Sequence, residues 1–234
     1  MKKKLFFQVL MITGLFLSSN PISSQVVYDA GLWENIYLEK KITSKWNVHL
    51  NHEGRVDQNM TRFYYAYADV GITYEFTKHV KVMGDYVFLE KLKNNNDYWS
   101  TRHQAYVALV LKQKIGSFAI SDRTMFQVQY TDVYSSEHGM LPDYKLRNKL
   151  TIKYNNNSRY TYYIASEMYY KVNSYNKVNL PQGRQIDRMR YFAGVFYELN
   201  KMNKIELYYL FENNFNINKP VNKSVIGIGY AHYF

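Results

Sequence analysis

The sequence contains no cysteine, only four prolines and a single long apolar run. Without cysteine the chain can form no disulfide, no thiolate metal site and no lipid-modified cysteine after a leader. A helix needs about 20 apolar residues to cross a bilayer. Because no second run approaches that length, any residence in a membrane would have to depend on strands.

The apolar run lies in the first 25 residues, MKKKLFFQVLMITGLFLSSNPISSQ. Three lysines are followed by the apolar stretch Leu5–Leu17 and then by small polar residues, which is the order of a secretory signal peptide. The stretch is interrupted by Gln8 and Gly14 and is too short for a membrane anchor. We predict that residues 1–24 are a removed signal peptide and that 25–234 form one domain, exported through the periplasm to the outer membrane of a Gram-negative bacterium.

The chain is basic, with 30 Lys and Arg against 19 Asp and Glu and a net charge of +11. A soluble protein with this charge would suggest a nucleic-acid partner. Here the basic residues are spread along the sequence and alternate with apolar ones rather than forming blocks. The sequence therefore predicts no nucleic-acid partner, and it contains no motif that predicts a cofactor.

Apolar and polar residues alternate with a period of two through most of the remaining chain, most clearly in residues 144–154. A strand collects alternate side chains on one face, whereas a helix would scatter them. Eleven such segments occur, at 29–42, 45–56, 62–76, 80–91, 100–114, 117–130, 144–154, 160–172, 186–199, 204–214 and 223–234. Most exceed ordinary globular strands and suit the roughly 9–11 tilted residues that cross a bilayer.

Short connections between these segments alternate with longer polar ones, as in bacterial transmembrane barrels. Aromatic residues recur near segment ends, which is typical of aromatic girdles, at Tyr74, Phe76, Tyr130, Tyr144, Tyr154 and Tyr160. In hydrocarbon each unsatisfied backbone group costs several kcal/mol, so a sheet there must close on itself. The predicted fold class is all-β, an antiparallel transmembrane β-barrel of 10–12 strands, rather than a soluble sandwich.

The odd number of segments conflicts with this fold, because single-chain bacterial barrels have even strand numbers. Either segment 29–42 does not join the wall as an ordinary strand, or one strand is missing from the count. Glu34 adds a second difficulty, since it shares its face with Leu32 and Ile36. On a wall facing lipid we expect this acid near the rim, where its cost is small.

The opposite faces of the segments carry charged residues that we assign to the lumen. The lumen-lining candidates are Arg123, Arg147, Lys149, Glu167, Arg188, Arg190, Glu198 and Glu212. Hairpin counting pairs Arg147 with Glu167 and Glu75 with Lys81. Two interpretations remain open: cross-strand ion pairs that fill and rigidify the interior, or a surplus of cations that makes a small-solute channel attract anions.

The alternative function is a barrel enzyme acting on lipid or lipopolysaccharide. It would need a nucleophile or activated water with a base in hydrogen-bond reach. His49 and His52 are close in sequence, but alternation places them on opposite faces. His103, beside Ser100 and Thr101, is the other cluster. No Gly-x-Ser-x-Gly or His-Glu-x-x-His motif occurs, so no catalytic or metal-binding residue is assigned.

The chain ends in Phe234, with apolar or aromatic residues at Ile226, Ile228 and Tyr230 and with His232 at the next alternate position. This ending resembles the signal by which the barrel assembly machinery recognises its clients. The predicted partners are therefore that machinery, outer-membrane lipid and a small-molecule solute.

The first hairpin runs from Asp29-Ala-Gly-Leu-Trp33 through Leu38-Glu-Lys-Lys41 to Trp46 and Arg55. It resembles a family of predicted outer-membrane β-barrels that is classified only as a domain of unknown function. The resemblance extends over nearly all of the chain after the leader. It implies a barrel in the outer membrane and assigns no activity.

Overall fold

The computed structural model describes residues 27–93, 98–132, 142–173, 185–216 and 220–234. The predicted signal peptide lies outside these residues. None of them belongs to a helix that is long and apolar enough to cross a membrane.

The described residues form eleven strands, which match the eleven segments predicted from alternation to within a few residues at each end. They are β1 (Val27–Lys41), β2 (Trp46–Asp57), β3 (Arg62–Thr77), β4 (Val80–Lys93), β5 (Tyr98–Ile115), β6 (Phe118–Thr131), β7 (Asp143–Tyr154), β8 (Tyr160–Asn173), β9 (Gln185–Glu198), β10 (Asn203–Asn214) and β11 (Val221–Tyr233). The prediction of an all-β barrel is confirmed.

The sheet closes by pairing β1 with β11. Strands that follow one another in sequence pair antiparallel, but this closing pair is parallel and runs from Val27 opposite Val221 to Glu39 opposite Tyr233. An odd number of alternating strands leaves the first and last pointing the same way, so the predicted antiparallel barrel is found with one parallel seam. Segment 29–42 joins the wall as β1, and its parallel pairing with β11 is what distinguishes it from an ordinary strand of this barrel.

The connections divide between the two ends of the barrel. The end that we call the turn end carries 42–45, 78–79, 116–117, 155–159 and 199–202, and the other connections leave from the opposite, loop end. Asn157 and Gly116 take left-handed backbone, with φ of 53° and 58°, which suits tight turns. Because β1 runs parallel to β11, both strands begin at the loop end and finish at the turn end. Val27 therefore lies at the loop end and Phe234 at the turn end.

The wall is apolar outside and polar inside, the reverse of a soluble core. Large apolar side chains point outward and are exposed on neighbouring strands, for example Leu50, Val70, Phe88, Val107, Phe126, Ile164, Leu207 and Ile228. Buried side chains inside include Asn47, Asp85, Gln127, Glu167, Arg190 and Glu212. This distribution is that of a barrel wall facing lipid, with a polar interior.

Aromatic contacts ring both ends of the outer face. At the turn end Trp46 packs on Tyr74 with ring centroids 4.7 Å apart, and Tyr160 packs on Tyr197 at 5.0 Å. At the loop end Phe126 stacks on Tyr144 at 5.8 Å. These pairs form the girdles that the aromatic residues near segment ends predict.

Glu34 does not lie near the rim, contrary to the expectation from the sequence. It is the central residue of β1, and its carboxylate lies 3.1 Å from the imidazole of His52 on the same outward face. Gly54, its register partner, leaves room for the side chain, because a Cβ there would lie 2.5 Å from Glu34 Oε1. The acid is thus held by a polar partner on the wall rather than by closeness to water at the rim.

Candidate functional site: the lumen

In the part of the chain that the structure describes, the barrel interior contains an upper and a lower cavity. The upper cavity, of about 900 Å³, opens toward the loop end, and the lower one, of about 260 Å³, lies toward the turn end. Six residues line both cavities and mark the boundary between them. We call these residues the neck: Asn35, Asn51, Asp69, Tyr106, Arg123 and Glu206.

Seven of the eight residues predicted for the lumen line the upper cavity. They are Arg123, Arg147, Lys149, Glu167, Arg188, Arg190 and Glu212. Glu198 does not join them, since it lies at the turn end of β9. There its carboxylate accepts a hydrogen bond from Lys204 Nζ at 2.7 Å, and its side chain is 38% exposed.

Glu167 is the centre of a buried ion-pair network. Its Oε1 accepts hydrogen bonds from Arg147 Nη2 at 2.8 Å and Arg123 Nη2 at 3.0 Å. Its Oε2 accepts one from the hydroxyl of Tyr169 at 3.1 Å. Since Glu167 is only 2% exposed, the guanidinium groups supply what water would otherwise provide.

The register of the β7–β8 hairpin differs from the predicted register. Lys149 lies opposite Glu167, and Arg147 lies opposite Tyr169. The predicted pair of Arg147 and Glu167 forms nevertheless, because a long guanidinium side chain reaches the diagonal neighbour on the same face. Glu75 and Lys81 lie directly opposite one another and form an ion pair, as counting predicts.

A second carboxylate, Glu212, extends the network around the wall. Its Oε2 accepts a hydrogen bond from Arg190 Nε at 2.7 Å and lies 3.6 Å from Arg188 Nη1. Arg190 also lies 3.7 Å from Glu167 Oε2 and donates to the hydroxyl of Tyr169. Arg190 therefore links the two carboxylates across β8, β9 and β10.

Aromatic rings support Arg190 and a further guanidinium group, that of Arg55. Arg55 lies over the ring of Trp33, 3.8 Å from its centroid, and over Tyr65 at 4.2 Å, while Arg190 lies 4.9 Å from Trp33. Such cation–π contacts are worth most where water is excluded, and Trp33 is 3% exposed. The predicted lumen residues include Arg190 but neither ring, although Trp33 and Tyr65 have lumen-facing positions in the alternation.

Four further cations line the upper cavity without an ion pair or hydrogen bond to any described residue: Lys91, Arg102, Lys145 and Lys149. Lys149 lies directly opposite Glu167 and over the ring of Phe192, which leaves Lys91, Arg102 and Lys145 as the free cations of this cavity. Arg102 Nε is buried without an acceptor, and Lys91 lies within electrostatic reach of both other cations. Around the whole upper cavity, basic side chains outnumber acidic ones by eleven to seven. The upper cavity therefore has a positive balance that its internal ion pairs do not cancel.

The histidines considered for catalysis lie apart from one another. His52 faces outward beside Glu34, and His49 faces the lumen, where it contacts Asp85. His103 faces outward, its Nδ1 2.6 Å from the hydroxyl of Tyr86. None of these three contacts involves a serine or threonine hydroxyl, so the geometry gives the enzyme alternative no support.

The model of a family described as "Protein of unknown function (DUF2490)" matches residues 30–223. The chain belongs to this family. No curated protein matches this DUF2490 member. Among solved structures it is similar to a NanC porin in a rhombohedral crystal form, with 14% identity over 78% of this chain and 85% of that one and a TM-score of 0.49.

A second similar structure is a KdgM porin in complex with disordered oligogalacturonate. It is 12% identical to this chain, over 76% of this chain and 81% of the porin, with a TM-score of 0.42.

Proposed function

We propose that this DUF2490 member resides in the outer membrane and passes small solutes through its lumen, with a preference for anions. The observation that carries the proposal is the group of unneutralised cations Lys91, Arg102 and Lys145 in the upper cavity. Charged groups that line a pore set its selectivity. A low-dielectric wall strengthens their field, which raises the local concentration of the opposite charge.

The ion-pair network has a different role in this proposal. Glu167 and Glu212 are fully engaged by arginines, so they fix the width of the lumen rather than repel anions. Solutes that pass the upper cavity meet the neck, which Asp69, Glu206 and Arg123 line together with three polar residues. The neck is the step at which we expect size selection.

Planar-bilayer recording of the purified protein in a salt gradient tests the proposal. We expect discrete conductance steps and a reversal potential that is displaced toward the equilibrium potential of the anion. A triple variant with Lys91→Gln, Arg102→Gln and Lys145→Gln removes all three free cations. Its reversal potential should shift toward the equilibrium potential of the permeating cation. Lys201→Gln, in an exposed turn, serves as the matched control and should leave it unchanged.

Two results would contradict the proposal. Absence of conductance in correctly folded protein would mean that the network and neck close the lumen, which would favour a structural role. Conductance with cation preference would mean that the free cations do not determine the field of the pore.

The route to the membrane is part of the same proposal. Residues 1–24 would direct export, and the last strand with Phe234 would present the chain to the barrel assembly machinery. We expect mass spectrometry of the outer-membrane fraction to find a mature N-terminus at Gln25. Recovery of the full-length chain from the inner membrane would refute this route.

A further inference from the structure

Three titratable side chains from adjacent strands meet on the wall of the lower cavity. They are His49 of β2, Asp69 of β3 and Asp85 of β4, with side chains 2%, 7% and 0% exposed. One ligand atom from each lies within 4.8 Å of the others. His49 Nε2 contacts Asp85 Oδ1 and lies 3.8 Å from Asp69 Oδ1.

The strand register explains why these groups meet. His49 pairs with Gly71, and Gly71 pairs in turn with Asp85. A Cβ on Gly71 would lie 2.0 Å from Asp85 Oδ1 and 2.6 Å from His49 Cε1. The glycine thus leaves the space in which side chains from two non-adjacent strands come together, and Asp69 joins them from two residues along β3.

The protein leaves part of this cluster without partners. Asp69 Oδ1 and Asp85 Oδ2 are buried and accept no hydrogen bond within the described residues. Asn51 donates to the other oxygen of Asp69, at 3.2 Å, and no described lysine or arginine forms an ion pair with either carboxylate. Burying a charged oxygen without a partner is costly, so two unmatched carboxylate oxygens beside one imidazole favour the binding of a cation.

We propose that His49, Asp69 and Asp85 bind one divalent transition-metal ion, for which Zn²⁺ is the probe. Imidazole nitrogen and carboxylate oxygen are ordinary Zn²⁺ ligands at about 2.0–2.2 Å. Atoms at that distance from one tetrahedral ion lie roughly 3.3 Å apart, so the 3.8 Å separation of His49 Nε2 and Asp69 Oδ1 has to shrink slightly. The direct contact between His49 Nε2 and Asp85 Oδ1 has to open, so that Asp85 turns its unpartnered Oδ2 toward the ion. Two carboxylates balance the charge of the ion.

The site would leave a coordination position toward the lower cavity, which His49 and Asp69 both line. Three protein ligands with an open fourth position are typical of zinc sites that bind water or a solute. Tyr37 stacks on His49 with ring centroids 5.6 Å apart and holds the imidazole plane. Metal binding does not depend on conduction, so its test is independent of the channel proposal.

The test is metal binding to the folded barrel in detergent, prepared without a histidine tag and stripped with a chelator. Calorimetric titration with Zn²⁺, supported by elemental analysis, should give one ion per chain. We expect His49→Asn, Asp69→Asn and Asp85→Asn each to weaken binding by at least about tenfold, since each removes a direct ligand. His52→Asn is the matched control, because it removes an imidazole of the same strand on the opposite face.

Circular dichroism checks that each variant is folded. Should Asp85→Asn fail to fold, Asp69→Asn decides, since its amide keeps the side-chain shape beside Asn51. The proposal is overturned if the wild-type barrel binds no Zn²⁺. It is also overturned if the folded variants bind as tightly as the wild type, or if His52→Asn loses as much affinity as His49→Asn.

Discussion

Replacing Glu167 with Gln tests whether the lumen is held by a buried charge network. The substitution keeps the side-chain shape but removes the charge that Arg147 and Arg123 share, at 2.8 Å and 3.0 Å. Removing one partner of a buried ion pair costs about 3–5 kcal/mol, because the remaining charge is left uncompensated. The upper cavity provides some hydration, so we expect a loss of about 3 kcal/mol in the free energy of unfolding.

Glu198→Gln is the matched control for this prediction. It breaks an ion pair of similar length, with Lys204 at 2.7 Å, but both partners are about one-third exposed. Exposed pairs contribute at most about 1 kcal/mol. Urea unfolding of both variants in the same lipid, followed by tryptophan fluorescence, gives the comparison. Equal losses in the two variants would refute the claim that burial of Glu167 makes its ion pairs important.

Two further predictions concern packing and topology. Gly227→Ala should destabilise the barrel by about 1–3 kcal/mol, because the new Cβ would lie 1.9 Å from Tyr208 Cζ. Gly84→Ala is the control and should be nearly neutral, since its new Cβ meets nothing within 4 Å. Equal unfolding midpoints of the two variants would contradict this prediction. Single cysteines at Tyr28, near the start of β1, and at Asn216, before the start of β11, should react with an impermeant maleimide from the same side of the membrane, since parallel strands begin at the same end of the barrel. Labelling of the two from opposite sides would exclude the parallel seam.

Much of the fold could be predicted because the barrel repeats one simple pattern. In nearly every strand, alternate residues are apolar where they face lipid and polar where they face the lumen. This is why the boundaries of segments such as 144–154 agree with the structure. The same pattern placed Arg190 and Glu212 on one face, although it did not show that they form an ion pair.

The features that the sequence did not reveal depend on relations between strands. Eleven alternating segments imply that the first and last strands run in the same direction, but the even strand numbers of bacterial barrels argued against that count, so the parallel seam was not predicted. Alternation is blind to register: His49, Asp69 and Asp85 share the lumen face, but only their positions relative to Gly71 bring them together. Glu34 was misplaced because its partner, His52, comes from the neighbouring strand.

Accessibility of alternate residues along β5 tests the central claim of an apolar exterior and a polar lumen. The chain has no cysteine, so spin labels can be attached singly at Gln104, Ala105, Tyr106 and Val107 in protein reconstituted into lipid. Gln104 and Tyr106 line the upper cavity, while Ala105 and Val107 are exposed on the outer face. We expect labels at Ala105 and Val107 to collide mainly with oxygen dissolved in lipid, and labels at Gln104 and Tyr106 with a water-soluble nickel complex. Equal collision rates at all four positions, or the reverse alternation, would contradict a barrel with lipid outside and water inside.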